Sequence, residues 1–188
     1  MKKILIFASG SGTNAEKIYE YFLTDSQVKI AKIYCNNSKA GVIQRANRLG
    51  IELRLFNREE YKNLSLLEEI KNEKPDLIVL AGFLWLIPAE MVQAFPKKII
   101  NLHPALLPKY GGKGMYGHFV HEAVIENKEK ESGITIHYVN EKYDEGAIIK
   151  QASYPISEQD CVESISQKGQ KLEHQWFPLV VDQILRSQ

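Results

Sequence analysis

The sequence lacks the features of a secreted, membrane-bound or nucleic-acid-binding protein. Its only two cysteines, Cys35 and Cys161, lie far apart and predict no disulfide framework. No apolar run is long enough to span a membrane, and the short run after Met1 leads into a glycine loop, unlike a signal peptide. With 24 basic and 23 acidic residues the net charge is +1, so no broad basic field is present. We expect a cytoplasmic protein with small-molecule ligands and neither a nucleic-acid nor a membrane partner.

What the sequence does contain is a regular alternation of apolar runs and amphipathic stretches. The apolar runs predict strands at 3–8, 28–34, 51–55, 76–81, 99–101, 133–139 and 147–154. The stretches between them predict helices at 15–23, 41–49, 57–72, 88–95, 117–127 and from 157 toward 185. Asn57 is a predicted N-cap, and Pro178 is predicted to kink or divide the last helix.

This order of elements predicts the architecture. Strands that alternate with helices favour a doubly wound α/β fold, with a mainly parallel sheet of about seven strands and helices on both faces. The last two strands are joined by a short turn, so we expect them to pair as a hairpin at one edge. No linker or repeat divides the sequence, which predicts a single domain over 1–188.

The first strand opens into Ser9-Gly10-Ser11-Gly12-Thr13-Asn14, directly before a helix. Backbone N–H groups at a helix N-terminus bind anions, and Thr13 or Asn14 can cap the helix and donate to a phosphate. The loop also fits a dinucleotide fingerprint, but the second strand ends in 35–38 without the expected acidic residue. We therefore favour the phosphate of a smaller ligand over NAD, with a glycine turn that binds nothing as the alternative.

The stretch Ile99-Ile100-Asn101-Leu102-His103-Pro104 carries the strongest chemical signal. Asn101 and His103 lie two residues apart, so in an extended segment their side chains point the same way. An amide at the end of a strand can donate to a developing oxyanion, and an imidazole can move a proton near neutral pH. Ligands of open α/β sheets bind at that end of the strands. A turn asparagine and a structural loop histidine are the alternative.

Three further features are ambiguous by themselves. The segment Leu84-Trp85-Leu86-Ile87 is unusually apolar for a loop, so it either walls a flat ligand or packs on the core. Arg58, near a strand end, either reaches a ligand anion or is a solvated charge, and chemistry alone favours the solvated charge. Asp144 either orients and charges a nearby imidazole or is an ordinary turn residue before a glycine.

The stretch 109–117 is rich in glycine and predicts a flexible, ligand-facing loop. The helix after it carries His118, His121 and Glu122. Their spacing does not match a metalloprotease motif, and no third ligand stands in a convincing position. We expect no metal site.

Taken together, these motifs resemble the folate-dependent formyltransferases. The resemblance covers essentially the whole chain and is carried by the glycine loop, Leu80-Ala81-Gly82-Phe83, Asn101-Leu102-His103-Pro104-Ala105-Leu106-Leu107-Pro108-Lys109 and Asp144-Glu145-Gly146. The glycine loop is similar to that of the phosphoribosylglycinamide-dependent branch of purine synthesis. The resemblance implies that the amine of 5-phosphoribosylglycinamide attacks the formyl carbon of the cosubstrate 10-formyltetrahydrofolate. A monomer or homodimer without metal is expected.

The resemblance also implies residue roles. Gly12, Thr13 and Asn14 would hold the substrate phosphate. Asn101 would donate to the oxyanion, and protonated His103 would stabilise it and pass a proton toward the departing folate nitrogen. Asp144 would raise the pKa of His103. The remaining implied residues belong to the folate site: Arg58, Leu84, Trp85, Leu86, Ile87 and Asn101.

The sequence departs from the resemblance at two places. Trp85 stands where the family often has a cation, and the loop 111–117 looks longer than in the best-known members, so no substrate contact is assigned to His118 or His121. Three rival hypotheses stay open. They are a nucleotide-dependent oxidoreductase, a non-catalytic phosphate-binding module in which Asn101 and His103 are structural, and a folate formyltransferase that acts on a sugar-nucleotide amine.

Overall fold

The computed structural model describes residues 1–187, so the last residue of the predicted domain, Gln188, lies outside the described part. The strands are β1 (Lys2–Ala8), β2 (Val28–Cys35), β3 (Leu53–Leu55), β4 (Leu77–Leu80), β5 (Ile99–His103), β6 (Glu131–Tyr138) and β7 (Ile148–Pro155). The helices are α1 (Thr13–Phe22), α2 (Val42–Leu49), α3 (Arg58–Lys62), α4 (Ser65–Glu73), α5 (Ala89–Ala94), α6 (His118–Glu126) and α7 (Val162–Arg186).

The seven strands form one sheet in the order β3-β2-β1-β4-β5-β6-β7. The pairs from β3 to β5 are parallel, and β5–β6 and β6–β7 are antiparallel. The predicted mainly parallel sheet and its edge hairpin are therefore confirmed. The strand order reverses between β1 and β4, and ligands of open α/β sheets bind in the crevice outside the carboxyl ends of such strands.

The core lies on both faces of the sheet because successive side chains of a strand point to opposite sides. Ile4 and Ile6 of β1 pack in a cluster with α1, α2 and α7. Leu5 and Phe7 pack in a second cluster with α4 and α5. Helices on both faces are thus confirmed, and the central strand has the unbroken apolar run typical of a doubly covered parallel strand.

The helix predicted over 57–72 is in fact two helices. The Asn57 side chain accepts from the backbone N–H groups of Glu59 and Glu60, which confirms the predicted N-cap of α3. Leu64 then takes a left-handed conformation with φ 63°, which interrupts the helical hydrogen bonds before α4 begins. The apolar periodicity continues across this break, so the sequence pattern conceals it.

The last helix also differs from its prediction. Ser157 forms a turn in which its backbone N–H donates to Asp160 at 2.8 Å, and α7 begins only at Val162. The helix runs without division past Pro178 to Arg186. Pro178 is buried beside Phe177, so tertiary packing offsets the backbone hydrogen bond that a proline removes. No helix in the described part of the chain has the length and apolar character needed to cross a membrane.

Candidate active site

A cavity of about 790 Å³ opens at the carboxyl ends of β1, β4 and β5. Its lining brings together most of the residues singled out in the sequence: Gly12, Thr13, Asn14, Leu84, Trp85, Leu86, Ile87, Asn101, His103 and Asp144. These residues come from β5, from the segments that follow β1 and β4, and from the turn before β7. The topology therefore places a glycine loop, an apolar segment and a polar cluster around one space.

The glycine loop is held against α2 by close packing. Gly12 has φ 79°, and a Cβ atom on it would lie 2.5 Å from Cγ2 of Val42, so only glycine fits. Gly12 is itself the N-cap of α1, without a side-chain hydrogen bond. The prediction that Thr13 or Asn14 caps the helix is therefore wrong, because α1 already includes both residues. This end of α1 offers backbone N–H groups to the cavity, as an anion site requires.

Glu173 is a residue of this cavity that the sequence analysis missed. The Asn14 amide donates to its carboxylate at 2.7 Å, which joins α7 to the glycine loop. Burial raises the pKa of Glu173, and the hydrogen bond from Asn14 offsets this only in part. A signal was present in the sequence. Glu163, Ser166, Gln170 and Glu173 recur at helical spacing on one face of α7, and all four line the cavity.

The polar cluster forms where β5 meets the turn before β7. Asn101 and His103 lie on β5, and the Asp144 carboxylate is 3.4 Å from Nδ1 of His103. The Asn101 amide donates to the other oxygen of Asp144 at 3.3 Å, and Nε2 of His103 donates to the Tyr110 carbonyl at 2.7 Å. Both ring nitrogens of His103 thus face acceptors, an arrangement that suits an imidazole which gains and loses a proton.

Backbone geometry explains why Asp144 stands at this point. Asp144 has a left-handed φ of 56°, which aspartate tolerates better than most residues. A Cβ on Gly146 would lie 1.7 Å from the Tyr138 carbonyl oxygen, so glycine alone lets the turn lie against the end of β6. The Gly112 N–H donates at 3.0 Å to the Asp144 oxygen that also faces His103, which further fixes the carboxylate.

Burial and neighbouring charges act in opposite directions on this pair. Burial lowers the pKa of His103 below its ordinary value, and the Asp144 charge, which raises it, does not compensate. The expected net increase is therefore a net decrease, because the prediction considered the charge without the burial. Burial alone raises the pKa of Asp144, but His137, His103 and the Gly112 N–H together hold it below its usual range.

His137 is a second residue that the sequence analysis missed. It lies on β6, directly opposite Asn101 in the antiparallel register. Its Nδ1 donates to the Tyr138 carbonyl at 2.8 Å, so in the neutral ring Nε2 accepts from the Asn101 amide at 3.1 Å. Both N–H groups of Asn101 are then engaged, one by His137 and one by Asp144. An incoming oxyanion therefore has to replace His137 or Asp144 as the acceptor of one Asn101 N–H group.

The apolar segment divides between the core and the cavity. Ile87 is buried in the second core cluster, and Trp85 packs against Tyr61 with ring centroids 5.3 Å apart. Leu84 and Leu86 are 46% and 40% exposed, so their apolar side chains are available to a ligand. The segment thus satisfies both of the alternatives that the sequence left open.

Arg58 does not line the main cavity. Its guanidinium lies over the Trp85 ring at 5.1 Å, in an adjoining cavity of about 430 Å³. Trp85, Leu86 and Tyr143 line both cavities and so connect them. His118 and His121 do line the main cavity. No group of three or more His, Cys, Asp or Glu residues in the described part of the chain is arranged to hold a metal ion.

Comparisons with known proteins agree with this geometry. Residues 2–181 match the family described as formyl transferase. The chain is 40% identical over 191 residues to the chloroplastic phosphoribosylglycinamide formyltransferase of Arabidopsis thaliana, covering 97% of this chain and 65% of the relative. It thus spans slightly less than two thirds of that protein. For the phosphoribosylglycinamide formyltransferase of Bacillus subtilis the identity is 38% over 191 residues, with 98% of this chain and 95% of the relative covered.

Solved structures show the same similarity. The crystal structure of phosphoribosylglycinamide formyltransferase from Anaplasma phagocytophilum superposes with a TM-score of 0.89 at 30% sequence identity. The superposition covers 99% of this chain and 88% of that one. The similarity therefore extends over the sheet, its helices and the loops around the cavity.

Proposed function

The chain belongs to the formyl transferase family, and we propose that it transfers a formyl group from 10-formyltetrahydrofolate to the amine of 5-phosphoribosylglycinamide, in de novo purine (IMP) synthesis. The names of the relatives supply the acceptor and the transferred formyl group, and the resemblance of the sequence motifs to folate-dependent formyltransferases supplies the folate donor. One observation supports the proposal most: Asn101, His103 and Asp144 converge in a cavity that also contains the glycine loop.

The phosphate of the ribonucleotide binds at Gly12, Thr13 and Asn14. The backbone N–H groups at the start of α1 and the Thr13 hydroxyl are its donors. Glu173, which is hydrogen-bonded to Asn14, lies beside this site and provides an acceptor for the sugar hydroxyls. The amine end of the substrate then extends toward β5, since the same cavity contains Asn101 and His103.

The folate binds against the apolar segment. Leu84, Trp85, Leu86 and Ile87 form the wall for the pterin ring, because Leu84 and Leu86 leave apolar side chains exposed there. Arg58 lies beyond Trp85 in the adjoining cavity and binds a carboxylate of the folate tail. Asn101 contacts the formyl group where the two substrates meet.

The chemistry follows from the surroundings of His103. The substrate amine attacks the formyl carbon, the new C–N bond forms, and the carbonyl electrons move to oxygen, where the Asn101 amide donates to the oxyanion. Because burial lowers the pKa of His103, the neutral ring takes the proton that the attacking amine loses. It then passes this proton to the folate nitrogen as the old C–N bond breaks. Asp144 remains ionised and stabilises the transient imidazolium.

A turnover assay tests the proposal. Purified protein is mixed with 10-formyltetrahydrofolate, and release of tetrahydrofolate is followed with and without phosphoribosylglycinamide. We expect release only when the acceptor is present. Release without an acceptor would indicate a hydrolase, and release that requires a sugar-nucleotide amine would indicate the closest rival activity. No release with any acceptor, together with no folate binding, would contradict the proposal.

Three further expectations belong to this proposal. The chain acts as one formyltransferase domain over 1–188, as a monomer or homodimer, and without a metal. It works in the cytoplasm, where the free thiols of Cys35 and Cys161 stay reduced. Sedimentation of the purified protein measures the oligomeric state, and activity that persists after dialysis against a chelator tests the absence of a metal.

A further inference from the structure

Apart from its four histidines, the main cavity has more acidic than basic side chains in its lining. Asp144, Glu163 and Glu173 contribute carboxylates, whereas Lys113 and Lys142 are its only lysines or arginines within residues 1–187. Lys142 is already paired, since its Nζ lies 3.0 Å from the Glu145 carboxylate. A phosphate monoester brings up to about two further negative charges near neutral pH. A cavity with this lining therefore needs a cation that no carboxylate has yet neutralised.

The glycine loop does not provide such a cation. The stretch 10–14 contains no basic side chain. Arg45 reaches the loop, and its Nε donates to the Ser11 carbonyl at 2.8 Å, but its guanidinium is also paired with Glu16. Neutral donors alone thus face the phosphate from this side of the cavity.

Lys113 lines the same cavity as the glycine loop and is free to bind an anion there. Its side chain is exposed, and no carboxylate among the described residues lies within 4.0 Å of its Nζ. Gly112 and Gly114 on either side have φ 97° and 90°, and neither has an atom within 4 Å of the place where a Cβ would stand. The hydrogen bond from Gly112 to Asp144 nevertheless holds this segment at the cavity.

We propose that Lys113 binds the substrate phosphate as the cation that complements the neutral donors of the glycine loop. This inference rests on the proposed function, since it assigns a residue to that same phosphorylated substrate. The carboxylates of folate are a less suitable partner for Lys113, because Arg58 and Lys62 already line the adjoining cavity beyond Trp85.

Binding of ribose 5-phosphate, measured by titration calorimetry, tests the inference without any turnover. We expect Lys113→Gln to weaken this binding about tenfold, as loss of one charged contact does, and Lys113→Arg to retain most of it. The matched control is Lys109→Gln. Lys109 begins the same loop but pairs with Glu129, is absent from the cavity lining, and should leave the affinity unchanged. In turnover, Lys113→Gln should raise KM for phosphoribosylglycinamide without changing KM for formyl-folate.

Three results would overturn the assignment. They are an unchanged affinity in Lys113→Gln, an equal loss in Lys109→Gln, and a comparable rise in KM for formyl-folate. Failure of the proposed function has a different signature. The unmodified protein would then release no tetrahydrofolate, whereas its ribose 5-phosphate affinity and the effect of Lys113→Gln on it are measured independently of catalysis.

Discussion

Asp144 and Glu173 are partly buried carboxylates that line the same cavity, yet their pKa values are displaced in opposite directions. Asp144 is surrounded by His103, His137 and the Gly112 N–H, which hold its pKa low despite burial. Glu173 has one donor, the Asn14 amide, and burial raises its pKa. Burial alone therefore does not decide the charge of a carboxylate; the number and charge of its neighbours do. The two carboxylates therefore differ in their tendency to ionise, with the more readily ionised one beside His103 and the less readily ionised one beside the glycine loop.

The largest expected effect comes from removing the imidazole of His103, whose protonated form the Asp144 charge stabilises. We expect His103→Ala to lower turnover by roughly two to four orders of magnitude, because the proton path from amine to folate nitrogen is lost. The measurement is tetrahydrofolate release at saturating substrates. Folate and ribose 5-phosphate binding should persist, and near-normal turnover in this variant would eliminate the assigned role.

Asp144→Asn tests the low-pKa side of the comparison. The amide keeps the shape of the side chain but removes the charge that balances the imidazolium, so we expect turnover to fall roughly a hundredfold. The folded-state pKa of Asp144 lies below its unfolded value, so its stabilisation is present above about pH 4 and is lost as the pH falls through the folded value. Unfolding by urea at pH 7 and pH 3 should therefore show a smaller loss of stability in acid for the variant than for the parent protein. An equal loss in both proteins would contradict the argument.

Glu173→Gln tests the high-pKa side, and the expected sign is opposite. Because the folded-state pKa of Glu173 lies above its unfolded value, ionisation of this group opposes folding once the pH rises through the folded value. We expect the variant to be more stable than the parent protein at pH 8, and to show no gain at pH 4. Urea unfolding at the two pH values measures both differences. A gain of the same size at pH 4 would assign the effect to packing instead.

The smallest expected effect is that of the single donor to Glu173. Asn14→Ala removes the hydrogen bond to Glu173 and should reduce the free energy of unfolding by about 1 kcal/mol at neutral pH. The double variant with Glu173→Gln completes a mutant cycle. Glutamine can still accept from Asn14, so the cycle measures what the Glu173 charge adds to the 2.7 Å contact. If the two changes add without coupling, that charge adds nothing, and the contrast with Asp144 would be weaker than we infer.

Local signals in the sequence were sufficient for much of the fold. The N-cap at Asn57 and the strand–glycine loop–helix order around Gly12 depend on residues close in the chain, and both appear in the structure. The break at Leu64 and the unbroken helix through Pro178 depend on packing against distant elements. No pattern of neighbouring residues reports such packing, so the prediction of one continuous helix over 57–72 was wrong, and the last helix is not divided at Pro178.

In the candidate site, too, the sequence identified residues that lie close together in the chain and missed residues that meet through distant contacts. Asn101 and His103 were recognised together because they lie two residues apart on one strand. His137 was missed because its contact with Asn101 spans 36 residues, and Glu173 was missed because its contact with Asn14 spans 159. Asp144 was identified through resemblance to a family, since its own surroundings in the sequence are those of an ordinary turn.

The sequence by itself determined the order of strands and helices, the glycine loop before α1, and the amide and imidazole side by side on β5. These features depend on backbone preference and on side-chain alternation, which act over a few residues. Tertiary structure alone decided that Arg58 lies in the adjoining cavity, that Glu173 joins the glycine loop, and that burial lowers the pKa of His103 more than the Asp144 charge raises it. The physical reason is that desolvation and charge depend on which atoms surround a group in space, and segments far apart in the chain supply those atoms.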